Sequence, residues 1–293
     1  MKTAFVTLFA LTVGAFALSG CEVSDCAEKD ADGVCLQGKS LKRWVDSSPD
    51  LRTTTWASGG NVTVTGPNGD ISVVQGVEGE VSASFTAFVM RAYDTPEDEI
   101  RANLESISKT ANTDSTGNVT VVASRASGSP STLGADIAVA LPPSFDGVLT
   151  VNQNNGSTNM GFVGGALGVV LRSDNGSCQV NAGAAANIDL YCDNGGLTAR
   201  VTDIATNFES GKFVTGNGSI ELTFPAGGVF SIAARAMDGG VVDTTSAEAA
   251  GCLVQVASEA SKTVSCNGAT VADPEYSAQA QGTGLADVII KVQ

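Results

Sequence analysis

The feature that most constrains this chain is a corner that returns. Asn155-Gly156, Asn175-Gly176, Asn194-Gly195, Asn217-Gly218 and Asp238-Gly239 recur at steps of about 20 residues, the interval at which a chain winds into stacked repeats. Glycine reaches positive φ without a Cβ penalty, and Asn or Asp visits that region more readily than other residues. Aligned on these corners, the flanking residues fall into apolar columns at alternate positions. Four residues before each Asn or Asp stand Val151, Leu171, Leu190, Phe213 and Ala234; two earlier stand Leu149, Val169, Ile188, Gly211 and Ile232. Three residues after come Thr158, Cys178, Leu197, Ile220 and Val241, then Met160, Val180, Ala199 and Leu222, then Phe162, Ala182, Val201 and Phe224. Alternation on both sides of a turn means strand, turn and strand with one face buried.

An Asn-Gly corner also suits a β-hairpin, so an antiparallel meander competes. A meander would place turn signals about every 8–12 residues. Here one strong corner recurs at the longer interval, with weaker breaks at Gly161, Gly183, Gly211 and Gly228. The spacing therefore predicts an all-β parallel β-solenoid, one coil per repeat, with like columns stacked inside and strands about 4.8 Å apart. The column Asn152, Arg172, Tyr191, Val214 and Arg235 has outward parity, and its polar members Asn152, Arg172, Tyr191 and Arg235 form the candidate binding face. Asn68-Gly69, flanked by Val62, Val64, Ile71 and Val73, is a sixth corner in the same register, well upstream of the others.

The first 20 residues read as an export signal: Lys2, an apolar run over Ala4–Leu18, then Leu18-Ser19-Gly20-Cys21. The run is too short to span a bilayer as a mature helix. Its ending resembles the lipobox of bacterial lipoproteins, which implies acylation of Cys21 and anchoring to a membrane; Glu22, where an Asp would favour inner-membrane retention, leans toward the outer membrane. Seven cysteines are present, and an acylated Cys21 leaves an even number in an oxidising compartment. Proximity along the chain pairs Cys26 with Cys35, Cys178 with Cys192, and Cys252 with Cys266. Loops this short would stabilise by roughly 2–3 kcal/mol each. No CxxC pair occurs, and the spacings do not suit zinc.

Glu22–Ser58 is polar and aperiodic and reads as a tether. Residues 59–293 follow as one solenoid domain, with regular coils over 148–243 and a C-terminal cap over 244–293. The cap would hold a hairpin of Cys252–Ala257 and Lys262–Cys266 and a last strand over Ala286–Val292. Ala83–Met90, Asn118–Ala123 and Asp136–Leu141 read as further strands. One helix interrupts them: Thr95 as N-cap, Pro96 in the first turn with Glu97, Asp98 and Glu99, and Ile100, Leu104 and Ile107 at helical spacing to about Lys109. Its predicted role is to cover an open end of the stack; docking a partner is the alternative.

Composition narrows function further. A net charge of −15 disfavours nucleic acid and anionic lipid heads. The absence of histidine removes Ser-His-Asp and Cys-His centres and every His-ligated metal site. No phosphate-binding glycine loop is present, and no cofactor is expected. Asp174 and Asp193, in neighbouring repeats beside Arg172, are a candidate carboxylate pair for glycoside cleavage, or with Asn154 for Ca²⁺. An Asp before Asn-Gly is also ordinary turn chemistry, which is the preferred reading.

From Asn61 to Val242 the chain resembles the bacterial candidate adhesins, a family of uncharacterised β-strand-repeat proteins. The residues that carry the resemblance are Leu141-Pro142-Pro143, Leu149-Thr150-Val151 before the first corner of the array, the Asn-Gly corners, Ile220-Glu221-Leu222-Thr223-Phe224-Pro225 and Phe230-Ser231-Ile232. The resemblance implies an exported or envelope-anchored solenoid without catalytic residues. Three functions follow as expectations: a lipid-anchored, non-enzymatic module binding a cell-surface glycan or envelope protein; an accessory of envelope-stress sensing; and, least favoured, a carbohydrate-active enzyme.

Overall fold

A computed structural model describes residues 41–163, 165–183, 185–202, 210–237, 239–269, 276–281 and 286–293. The export segment, Cys21, the Cys26–Cys35 pair and Asp238 lie outside the described residues. The chain first forms β1 (Leu41–Val45), β2 (Asp50–Thr55), β3 (Val62–Asn68), β4 (Ile71–Gln75) and β5 (Glu80–Ala92). Helix α1 (Glu97–Glu105) leads to β6 (Ile107–Thr113), β7 (Val119–Arg125) and β8 (Leu133–Leu141). The array follows as β9 (Val148–Asn155), β10 (Thr158–Met160), β11 (Gly168–Asn175), β12 (Cys178–Gly183), β13 (Asn187–Asn194), β14 (Leu197–Val201), β15 (Ser210–Asn217) and β16 (Ile220–Phe224). The last elements are β17 (Phe230–Ala236), β18 (Val242–Asp243), α2 (Thr245–Ala249), β19 (Leu253–Ser258), β20 (Ser261–Cys266), β21 (Tyr276–Ala280) and β22 (Val288–Val292).

These strands make two large mixed sheets. The first runs β1-β5-β8-β4-β10-β12-β14-β16-β22-β18, with β2 also on β5; the second runs β19-β20-β17-β21-β15-β13-β11-β9-β3-β7-β6. Each repeat gives its pre-corner strand to the second sheet and its post-corner strand to the first, and neighbouring repeats pair in parallel. Antiparallel pairing is confined to the flanks, among β1, β2, β5 and β8, between β6 and β7, and among β17, β20 and β19.

The corner explains the parallel register. Side-chain amides run from coil to coil: Asn155 Nδ2 donates to Asn68 Oδ1 (2.7 Å), Asn175 to Asn155 (2.9 Å), Asn194 to Asn175 (3.1 Å) and Asn217 to Asn194 (2.8 Å). The ladder closes where Asn68 Nδ2 donates to the carbonyls of Ser131 and Leu133. The glycines run beside it, each N–H donating to the next coil: Gly69 to Asn155 O, Gly156 to Asn175 O, Gly176 to Asn194 O and Gly195 to Asn217 O, all within 2.8–2.9 Å. Glycine is required twice over at Gly176. Its φ is +124°, and a Cβ there would strike the carbonyl of Gly156.

Inside, the columns read from the sequence lie buried against one another. Leu149, Val169 and Ile188 are consecutive ladder partners, as are Val151, Leu171, Leu190 and Phe213; all are almost wholly buried. Each such side chain contributes roughly 1.5–3 kcal/mol by leaving water. The Cys178–Cys192 disulfide joins β12 of one sheet to β13 of the other across this interior, with Cα atoms 6.4 Å apart. Cys252–Cys266 closes the β19–β20 hairpin, whose turn is Glu259-Ala260.

Five details depart from the sequence reading. Residues 41–55, read as tether, form β1 and β2 on the edge of β5; both strands carry too little hydrophobic contrast to register as a period. Helix α1 stops at Glu105, so Ile107 and Lys109 belong to β6, and Pro96 rather than Thr95 is the N-cap. Gly211 is no break but a buried position of β15, lying opposite Tyr276. The fifth repeat slips by one residue: Val242 is buried and Val241 exposed, because Gly239-Gly240 lengthens its corner. A second helix, α2, packs on β22.

The largest departure is in the order of the repeats. β21 and β22 do not cap the stack after repeat five; they enter it between repeats four and five, β21 pairing with both β15 and β17 and β22 with both β16 and β18. The upstream corner Asn68-Gly69 is seated between β7/β8 and β9/β10. At the C-terminal end, therefore, the outermost strands β18 and β19 come from within the chain and the last segment is enclosed, whereas at the other end the first strand β1 lies at the edge of its sheet.

Candidate binding face

The outward column lies on the second sheet, and register fixes its order: Thr65, Asn152, Arg172, Tyr191, Val214, Gln279, Arg235. Asn152, Arg172 and Tyr191 are direct neighbours on β9, β11 and β13. Arg235 stands three strands beyond Tyr191, since the inserted β21 places Gln279 between it and Val214. At strand spacing this is about 14 Å. Val214 is itself covered and offers no exposed group. Gln279 is the member that sequence reading missed, although the alternation of Tyr276, Ala278 and Ala280 with Ser277 and Gln279 was a strand signal.

The polar groups are held rather than loose. Arg172 forms an ion pair with Asp189 of the next strand and donates from Nη1 to the carbonyls of Leu171 (2.9 Å) and Asp189 (3.0 Å). The Tyr191 hydroxyl donates to Asp193 Oδ1 at 3.0 Å. That bond, with burial and the charges of Asp193 and Asp174, raises the phenol above its ordinary range, so it stays a neutral donor. Beside Arg235 a cleft of about 480 Å³ is lined by Ala236, Met237, Ser258, Ala260 and Ser261.

The carboxylates singled out earlier take part in the hydrogen bonding of their own corners. Asp193 takes Tyr191 on one oxygen and Asn194 Nδ2 (3.3 Å) on the other, and Arg172 turns to Asp189 instead of toward Asp174 or Asp193. Asp174 and Asn154 are exposed, and their backbone carbonyls accept from the ladder asparagines Asn194 and Asn175. This is turn chemistry. Among the described residues no three of Cys, Asp and Glu converge as a metal site would require, and no helix is long and apolar enough to cross a membrane.

No family model matches the chain, and no curated protein matches it. Among solved structures it is similar to a candidate cell adhesion protein from Clostridium sporogenes, at 10% identity over 84% of this chain and 100% of that one, with a TM-score of 0.46. It is also similar to a candidate adhesin from Bacteroides fragilis, at 10% identity over 85% and 98% of the two chains and a TM-score of 0.28. A candidate adhesin from Parabacteroides merdae matches at 9% identity over 61% and 90%, with a TM-score of 0.21.

Proposed function

We propose that this chain is a lipid-anchored, non-enzymatic binding module of the bacterial cell envelope. In this reading Cys21 carries the lipid, the residues before Leu41 are the tether, and the two sheets are the walls of a β-solenoid that presents its second sheet to a surface glycan or an envelope protein. The observation that carries it is the alignment of Asn152, Arg172 and Tyr191 on adjacent parallel strands. An amide, a guanidinium and a phenol are thereby set in a row, two of them oriented by carboxylates. Such a row can meet a polar chain running across the strands with donors at a regular spacing, and a rigid scaffold lowers the entropy cost of binding.

The test is binding of the immobilised full chain to a glycan array, cell-wall fragments and intact cells. Binding to one of these that falls at least about tenfold in Arg172→Ala/Tyr191→Ala, a loss of about 1.4 kcal/mol, is the outcome expected. Binding to none, or binding indifferent to the double substitution, overturns the assignment. Turnover of a polysaccharide that is lost in Asp174→Asn and Asp193→Asn would replace it with an enzyme.

A further inference from the structure

Asn-Gly is a dipeptide with a reaction of its own. The glycine nitrogen, with no side chain beside it, can attack the asparagine Cγ and close a five-membered imide. Three of the corners share one tripeptide: Asn155-Gly156-Ser157, Asn175-Gly176-Ser177 and Asn217-Gly218-Ser219. All three asparagines are exposed. Local sequence and solvent access therefore do not separate them, but their hydrogen bonds do. At the first two corners both reacting groups are engaged. The N–H of Gly156 donates to the Asn175 carbonyl and that of Gly176 to the Asn194 carbonyl, each at 2.9 Å. The side-chain amides of Asn155 and Asn175 donate to one neighbouring repeat and accept from the other, so each is held from both sides. Asn217 is the last rung. Its Nδ2 donates to Asn194 Oδ1 at 2.8 Å. Among the described residues nothing donates to its Oδ1, and the Gly218 N–H has no acceptor. Strand β21, which pairs next with β15, brings no asparagine to continue the ladder: none occurs between Tyr276 and Gln293.

We propose that Asn217 is a site of spontaneous deamidation, and that it reacts ahead of Asn155 and Asn175 in the folded chain. The Gly218 nitrogen bonds to Asn217 Cγ, and Nδ2 leaves as ammonia, taking up the proton of the Gly218 N–H. The product is a succinimide. Water then opens the ring at one of its two carbonyls, giving aspartate, or isoaspartate where the main chain is rerouted through Cγ. The sum is amide plus water to acid plus ammonia, with nothing oxidised or reduced. Asn155 and Asn175 must first give up a backbone bond and an amide–amide bond that Asn217 does not make, which slows them at least about tenfold. The product also loosens the ladder from its end. A carboxylate at this position turns an acceptor toward Asn194 Oδ1, where the amide had turned a donor. This chemistry is independent of what Arg172 and Tyr191 bind.

Peptide mapping of the full-length chain by mass spectrometry tests it, after incubation in mildly alkaline buffer both folded and unfolded in urea with the disulfides reduced. In the folded chain the Asn217 peptide is expected to convert at least about tenfold faster than the Asn155 and Asn175 peptides. It should appear as separate aspartate and isoaspartate forms. In the unfolded chain the three identical tripeptides should convert at similar rates, which would assign the difference to the fold. No conversion at Asn217 in the folded chain, or conversion no faster than at Asn155 and Asn175, overturns the proposal. So does a lead of Asn217 that persists undiminished in urea, since local sequence would then be its cause.

Discussion

At the scale of single residues, the glycine of a corner such as that at Gly176 has two duties that can be separated by experiment. Gly176 needs a positive φ and has a neighbouring carbonyl where a Cβ would go, whereas Gly79 has the positive φ (+75°) with nothing within 4 Å of a Cβ. Gly79→Ala should therefore cost about 1 kcal/mol, from backbone strain alone. Gly176→Ala should cost about 2–4 kcal/mol, since two coils must part to admit the methyl. Denaturant unfolding of the two variants checks the difference; equal losses would mean that close stacking is not what the corner selects. The asparagine beside it was legible as a turn residue, but its amide ladder was not. A turn preference says nothing of what the side chain meets in a neighbouring coil, and only the parallel register puts Asn155, Asn175 and Asn194 in line. The same limit applied at Arg172, whose partner Asp189 lies 17 residues away in sequence and one strand away in space.

At the scale of strands, the inward and outward columns make opposite predictions for adjacent residues. Leu171 is wholly buried between Val151 and Leu190, and Leu171→Asp places an unpaired carboxylate there; a loss of more than about 4 kcal/mol follows. Arg172→Asp removes a half-exposed ion pair worth about 0–1 kcal/mol and should move the unfolding midpoint little. Similar shifts in the two variants, measured by thermal melting, would contradict the assigned faces. Strand positions were readable because alternation survives in every repeat. Element boundaries were less so: α1 ends two residues before Ile107 because apolar residues at helical spacing also fit the start of a strand. The short strands β1 and β2 escaped because they form an exposed edge with little hydrophobic contrast.

At the scale of the whole molecule, sequence order and spatial order diverge at the ends, and no local pattern records this. A strand signal at Tyr276–Ala280 fits a cap as well as an insertion; what decides is that its Tyr276, opposite Gly211, stacks on Phe213 and meets Phe224 and Phe230 edge-on. The enclosed position of β22 has a measurable result. Deleting residues 286–293 strips a neighbour from both β16 and β18, so amide-exchange protection should fall over Ile220–Phe224 and Val242–Asp243 while Cys178–Val201 keeps its own. Uniform loss, or none outside the deletion, would show that the strand is not a keystone of that end. The same enclosure governs how such a molecule acquires length. A duplicated repeat can slot between β9 and β16, where each repeat meets its predecessor and successor in sequence, but one appended after β22 would meet strands already spoken for. Proteins of this design would grow from the middle, with the C-terminal segment kept as a fixed clasp.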